Sequence, residues 1–116
     1  MILTHQTKQG LDIVNLSGRF VMADAAEARE QFRAIVEQGG GQLIVDLSGV
    51  TFIDTSGVAV LISAYKAVRG KNGRMILSGI PANVQALLEL TRLNEIFELF
   101  AHTEAACDAL LGSRPA

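Results

Sequence analysis

Asp54-Thr55-Ser56-Gly57 sets a carboxylate and two hydroxyls side by side, directly ahead of an apolar segment with helical spacing. It closes a longer stretch, Leu43–Gly57. That stretch opens with the apolar run Leu43-Ile44-Val45, reaches Asp46, passes a turn-like Ser48-Gly49 and resumes with Val50, Phe52 and Ile53. The order places polar side chains in a connection leading out of a strand, at the positive end of a helix. Open α/β sheets gather their functional groups in such connections. Nucleophilic attack by Ser56 would need a base within reach. Ser56 does not sit in a G-x-S-x-G elbow, because Asp54 stands where the first glycine belongs. The two histidines, His5 and His102, lie near the chain ends, and nothing in the sequence sets either beside Ser56. As a helix N-cap, Ser56 would satisfy a first-turn amide, contributing about 1 kcal/mol. Asp54 would then be a helix-start carboxylate favoured by the helix dipole. Capping is the simpler reading from residue types and spacing, and chemistry at the hydroxyl stays open beside it.

Other motifs carry less. The Asp-Thr-Gly of aspartic proteases is interrupted here by Ser56. His5, His102 and Cys107 are too scattered for a metal site, with neither a CxxC nor an HxxxH pair. Gly39-Gly40-Gly41 runs from a helix into a strand, the reverse of a phosphate-binding loop, and reads as a helix stop. The Gly70-Lys71 pair lies on the wrong side of a helix for a Walker motif. No cofactor or catalytic base is implied, and the chain does not read as an enzyme.

The elements that position the central stretch follow from periodicity. Ile2–Gln6 and Leu11–Leu16 read as a hairpin around Gln9-Gly10, broken off by Gly18-Arg19. Asp24–Gln38 is the clearest helix, with Asp24 and Glu27 spaced as a capping box and Ala28, Phe32, Ile35 and Val36 on one face. Leu43–Leu47 lacks polar alternation, as a strand covered on both faces would. After Ser56 the next helix carries Val58, Leu61, Ile62 and Tyr65, with Val60, Ala64, Ala67 and Val68 around them. Its first turns are apolar nearly all round, which implies burial or a partner surface near Ser56. Arg74–Ser78 is a strand, Pro81 opens a third helix with Val84, Leu87 and Leu88 inward, and Ile96–Phe100 is a last short strand. Thr103 caps a final helix through Leu111, and Ser113–Ala116 reads as a tail. The expected architecture is a mixed, mostly parallel sheet with an N-terminal β-hairpin and about four helices.

Composition bounds the rest. At 116 residues the chain is one domain, expected to span residues 1–112, with 49% hydrophobic and 19% charged residues and a net charge of −2. Acidic and basic residues are mixed along it, which argues against a nucleic-acid surface. A single cysteine allows no intramolecular disulfide, and Cys107 among alanines reads as a small core residue in a reducing compartment. The start lacks a basic, then apolar leader, and Val58–Ala64 is too short to span a bilayer, so a cytoplasmic location without membrane insertion is expected.

The run Asp46-Leu47-Ser48-Gly49-Val50-Thr51-Phe52-Ile53-Asp54-Thr55-Ser56-Gly57 closely resembles the signature of STAS domains. It looks in particular like the bacterial anti-sigma-factor antagonists, which read roughly D-L-S-x-V-x-x-[IM]-D-[ST]-[ST]-G before an apolar helix. The resemblance extends over nearly the whole chain, through Gly18, Asn83–Leu93 and Ile96-Phe97. It implies a partner-switching regulator. The serine before the glycine, here Ser56, is phosphorylated by a partner anti-sigma factor, a serine kinase of the GHKL ATP-binding type. The unphosphorylated antagonist binds that kinase, phosphorylation releases it, and a PP2C-type phosphatase resets it. Thr55 is the second choice for the modified hydroxyl. Asp54, Thr55, Ser56 and Gly57 are the expected partner-binding residues. Two positions depart from the family pattern. Val21 stands where a G-x-L-D aspartate is expected, and Arg92 replaces a helix-ending glycine. The alternative is a stand-alone STAS subunit docked on a membrane transporter ATPase, against which the Thr55-Ser56 pair counts.

Overall fold

The computed structural model describes residues 1–112, so the tail expected at 113–116 lies outside the described residues. Five strands form one sheet in the order of the chain: β1 (Ile2–Lys8), β2 (Leu11–Phe20), β3 (Gln42–Ile53), β4 (Arg74–Ser78) and β5 (Glu98–Phe100). The β1–β2 pair is antiparallel and the others are parallel. Between them run helices α1 (Met22–Gln38), α2 (Thr55–Gly70) and α3 (Ala82–Leu90), and α4 (Thr103–Gly112) closes the described chain. Each parallel crossover steps one strand in the same direction, so right-handed connections put α1, α2 and α3 on one face of the sheet. The packing agrees. Val14, Leu16, Leu43, Val45, Leu47 and Leu77 meet Phe32 of α1, Leu61 and Val68 of α2 and Leu88 of α3. On the other face Leu11, Ile13, Ile44 and Ile76 lie under Ala106, Cys107 and Leu110 of α4. Two-sided burial explains why β2 and β3 carry no polar stripe.

Several boundaries differ from the sequence expectation. The hairpin loop is Gln9-Gly10, both at positive φ (52° and 81°), the geometry that suits the twist of the flanking strands. Neither Gly18-Arg19 nor Ser48-Gly49 ends a strand. Both sit at register shifts within the β2–β3 ladder, where Ser17 pairs with Gly49 and Gly18 with Val50; each shift takes an extra residue from β3, so β3 bulges twice against β2 and pairing resumes beyond. A β-carbon on Gly49 would lie 2.8 Å from Ser17 Cβ, so the close approach of the strands there requires glycine. Helix α1 starts at Met22, two residues before the expected cap. Val21 offers no side-chain acceptor, and Asp24, within the first turn, accepts a hydrogen bond from Val21 N at 3.1 Å. Glu27 takes no part in that cap. Lys71 Nζ covers the other end of α1, donating to the carbonyls of Val36 (2.7 Å) and Gly39 (2.8 Å). The last strand is only Glu98–Phe100, because Leu93–Glu95 forms a 3₁₀ turn that leaves Ile96 exposed. Among the described residues no helix is long and apolar enough to cross a membrane.

Candidate functional site

Helix α2 starts where β3 overshoots the rest of the sheet. The tips of β2 and β3 stay paired through Arg19 with Phe52 and Phe20 with Ile53, and Asp54 N then donates to Phe20 O at 3.2 Å. Asp54, not Ser56, is the N-cap of α2. Its backbone is extended, and its Oδ1 accepts from Gly57 N at 3.0 Å. Its Oδ2 accepts from Met22 N, the first residue of α1, at 3.1 Å. One carboxylate therefore satisfies orphan amides at the start of two helices and sits where both dipoles favour negative charge. It takes part of the capping role that Val21 cannot fill.

With the cap supplied by Asp54, the hydroxyls are released from it. Thr55 is exposed and Ser56 half-buried, and among the described residues neither side chain has a hydrogen-bond partner. No acid or base is bonded to Ser56 Oγ, so nothing here activates it as a nucleophile of its own. What the geometry offers is an accessible hydroxyl on the first turn of a helix, where an attached anion is favoured. Gly57 is buried, and a β-carbon on it would lie 2.7 Å from both Ile53 Cγ1 and Phe20 O and 3.1 Å from Phe20 Cγ. Glycine lets the first turn of α2 press onto the tip of β2, which fixes the height of Ser56 above the sheet.

The element tips that lead into this turn carry exposed apolar and cationic side chains. Met22 is 73% exposed and Phe52 42% exposed. The Arg19 guanidinium lies 4.8 Å from the Phe52 ring centroid, a favourable cation–π arrangement. Asn83 Nδ2 donates to Thr51 O at 3.0 Å and draws the start of α3 to the same end of the sheet. Met22, Phe52 and Arg19 did not stand out in the sequence, since a large exposed side chain has no signature in periodicity.

A second polar cluster lies on the α4 face. Asp46 Oδ1 accepts from Ser48 N (2.9 Å) and Ser48 Oγ (2.6 Å), and Oδ2 accepts from Thr103 Oγ1 (2.8 Å). Thr103 Oγ1 and the fully buried Ser78 Oγ share a further bond of 2.6 Å. Burial pushes the Asp46 carboxyl up, but the hydrogen bonds from the Ser48 hydroxyl, the Ser48 amide and Thr103 together outweigh it and hold it below its ordinary value. Thr103 thus does not act as the expected cap. It is the first residue of α4, and its hydroxyl ties that helix to the middle of β3 and the end of β4. The opening of the signature run is therefore a brace to α4, while near its close the unbonded hydroxyls of Thr55 and Ser56 remain available.

A five-stranded mixed sheet with three crossover helices on one face, and the Asp-Thr-Ser-Gly turn at its end, defines the class. The sequence model of the STAS domain family matches residues 3–106, and the chain belongs to that family. Among its relatives is the anti-sigma-B factor antagonist of Bacillus subtilis, 28% identical over 91 residues, which cover 78% of this chain and 83% of the relative. The fold is shared with an anti-sigma factor antagonist from Mycobacterium paratuberculosis, with a TM-score of 0.85 at 23% identity over 93% of this chain and 92% of the other. It is also shared with the phosphorylated form of the Bacillus cell fate determinant SpoIIAA, with a TM-score of 0.76 at 17% identity over 94% of this chain and 99% of the other.

Proposed function

We propose that this chain is an anti-sigma factor antagonist that works by partner switching at Ser56. Unphosphorylated, it binds a GHKL-type serine kinase that also acts as the anti-sigma factor. Phosphorylation of Ser56 releases it, and a PP2C-type phosphatase restores the binding form in the cytoplasm. It acts by binding and not by catalysis of its own. The observation that carries this reading is the accessible, unbonded Ser56 hydroxyl on the first turn of α2, with capping left to Asp54 and the height of the turn set by Gly57. Thr55, equally unbonded and more exposed, is the second acceptor.

The physical chemistry of the switch is local. A phosphate adds about −1.5 to −2 charges at neutral pH, and the helix dipole stabilises it by about 0.3–1 kcal/mol. The isolated domain therefore accommodates the group. A partner packed over the turn does not, because bulk, desolvation and added charge fall inside its interface. The test is a pair of variants expressed in the native cells. Ser56→Ala is expected to co-purify with a GHKL-type kinase without being released, and Ser56→Asp to hold it weakly. Equal retention by neither variant nor wild type, with a transporter ATPase recovered instead, would move the reading to a transporter-docking subunit.

A further inference from the structure

The side chains around Ser56 have a character of their own, and it bears on the partner's chemistry. We infer that the phosphorylating kinase grips this protein through Met22 and Phe52, seated in an apolar pocket whose rim carries a carboxylate facing Arg19. This inference rests on the reading of Ser56 as the phosphoacceptor.

The argument begins with reach. Phe52 and Ser56 are four residues apart, so their α-carbons lie within about 14 Å even at full extension. Met22 is tied to the same turn through its amide, 3.1 Å from Asp54 Oδ2. A standard protein–protein interface covers about 800 Å² on each partner, a disc of about 16 Å radius. An enzyme centred on Ser56 therefore has Met22 and Phe52 within the span of a standard interface. It meets two large apolar side chains, 73% and 42% exposed, of the kinds enriched at interface cores.

Charge then selects the complement. Asp54 has both carboxylate oxygens engaged by the amides of Gly57 and Met22. Asp24 accepts from Val21 N and lies 3.6 Å from the N-terminal amine. Arg19 makes no ion pair among the described residues and rests on the Phe52 ring. Val21, the N-cap of α1, stands where the family pattern has an aspartate, and neither it nor Met22 beside it carries a charge. A partner that reads an acidic side chain there finds none. One with an apolar pocket and an acidic rim finds its match, so these residues set which kinase is recognised.

The experiment measures initial rates of Ser56 phosphorylation when the purified full-length protein, well below saturation, is added with ATP to an extract of the native cells. Met22→Asp is well suited, because aspartate in the first turn of a helix is favoured and the fold is retained. Phe52→Ala removes the ring, and Arg19→Glu reverses the rim charge. Leu90→Asp serves as a control at the far end of α3, where Leu90 is 81% exposed. Met22→Asp and Phe52→Ala are expected to lower the rate about tenfold or more at unchanged circular dichroism, with Leu90→Asp at the wild-type rate. The wild-type rate should fall with added salt, and Arg19→Glu should lose that dependence. Wild-type rates in Met22→Asp and Phe52→Ala would overturn the inference and leave the Ser56 reading standing. No phosphate on wild-type Ser56 would remove both.

Discussion

Asp54 and Gly57 hold the candidate site, and each can be removed singly. Replacing an N-cap carboxylate by alanine costs about 0.5–2 kcal/mol. Asp54 serves the first amides of two helices, so Asp54→Ala is expected at the upper end, about 2 kcal/mol, with amide exchange accelerated at both Met22 and Gly57. Acceleration at Gly57 alone would show that the bond to α1 contributes nothing. Gly57→Ala forces a β-carbon against Phe20 and Ile53 and should cost about 1–3 kcal/mol in denaturant unfolding, although alanine is the better helix former. Asp46 gives a pH dependence with a definite sign. Its carboxyl is held below its ordinary value when folded, so its contribution is complete above the ordinary carboxylate range and is lost as pH falls through the lowered folded value. Thr103→Val removes one of the bonds that hold it down and strands the buried Ser78 hydroxyl. Acid unfolding of that variant should therefore begin at higher pH than in wild type. Asp46→Asn should lack this segment of the pH dependence altogether.

The ends of elements are where sequence and structure part. Helix α3 closes at Leu90, and Arg92 follows in the left-handed region at φ 62°, the position where helices commonly place glycine. A non-glycine residue there is strained by about 1–2 kcal/mol, and the exposed Arg92–Glu95 pair at 3.4 Å offsets little of it. Arg92→Gly should raise stability by about 0.5–1 kcal/mol in thermal or denaturant unfolding, part of the relief being offset by the entropy of glycine in the unfolded chain. A loss of stability would mean that the arginine makes a contact worth more than its strain. The departure at Arg92 was visible in the sequence only through the resemblance, since the family pattern has a helix-ending glycine there; the left-handed backbone gives the physical reason. The continuity of β2 and β3 was not visible. Ser48-Gly49 and Gly18-Arg19 each read locally as breaks, and only the ladder register shows that β3 takes up an extra residue on either side of the Ser17–Gly49 and Gly18–Val50 pairs and both strands continue. The buried faces of α1 and α3 were legible from helical spacing; on α2, apolar nearly all round, the buried face runs through Val60, Leu61, Ala64 and Val68, while Ile62 and Tyr65, expected inward, are only half-buried. The owner of the α2 cap was not legible, because Asp54 and Ser56 both suit a cap, and backbone geometry decided between them.

At the scale of the whole molecule, the Asp-Thr-Ser-Gly turn, the proposed attachment point, sits where several elements of the fold are tied together. β2, β3, α1 and α2 all converge on Asp54, and the hydroxyls beside it are not spent on holding the fold together. Such a frame implies a switch by surface charge without refolding. Ser56→Asp should therefore keep the wild-type far-ultraviolet circular dichroism and a nearly unchanged midpoint of thermal unfolding. Loss of helical signal would point to a switch by local melting of α2. The central claim is that Ser56 carries a removable phosphate. Intact mass and phosphosite mapping on the protein isolated from its native cells, with and without phosphatase treatment, test it directly. The account predicts a single added phosphate on Ser56 that phosphatase removes. An unmodified Ser56 under every growth condition sampled, or phosphate retained when both Ser56→Ala and Thr55→Ala are introduced, would contradict it.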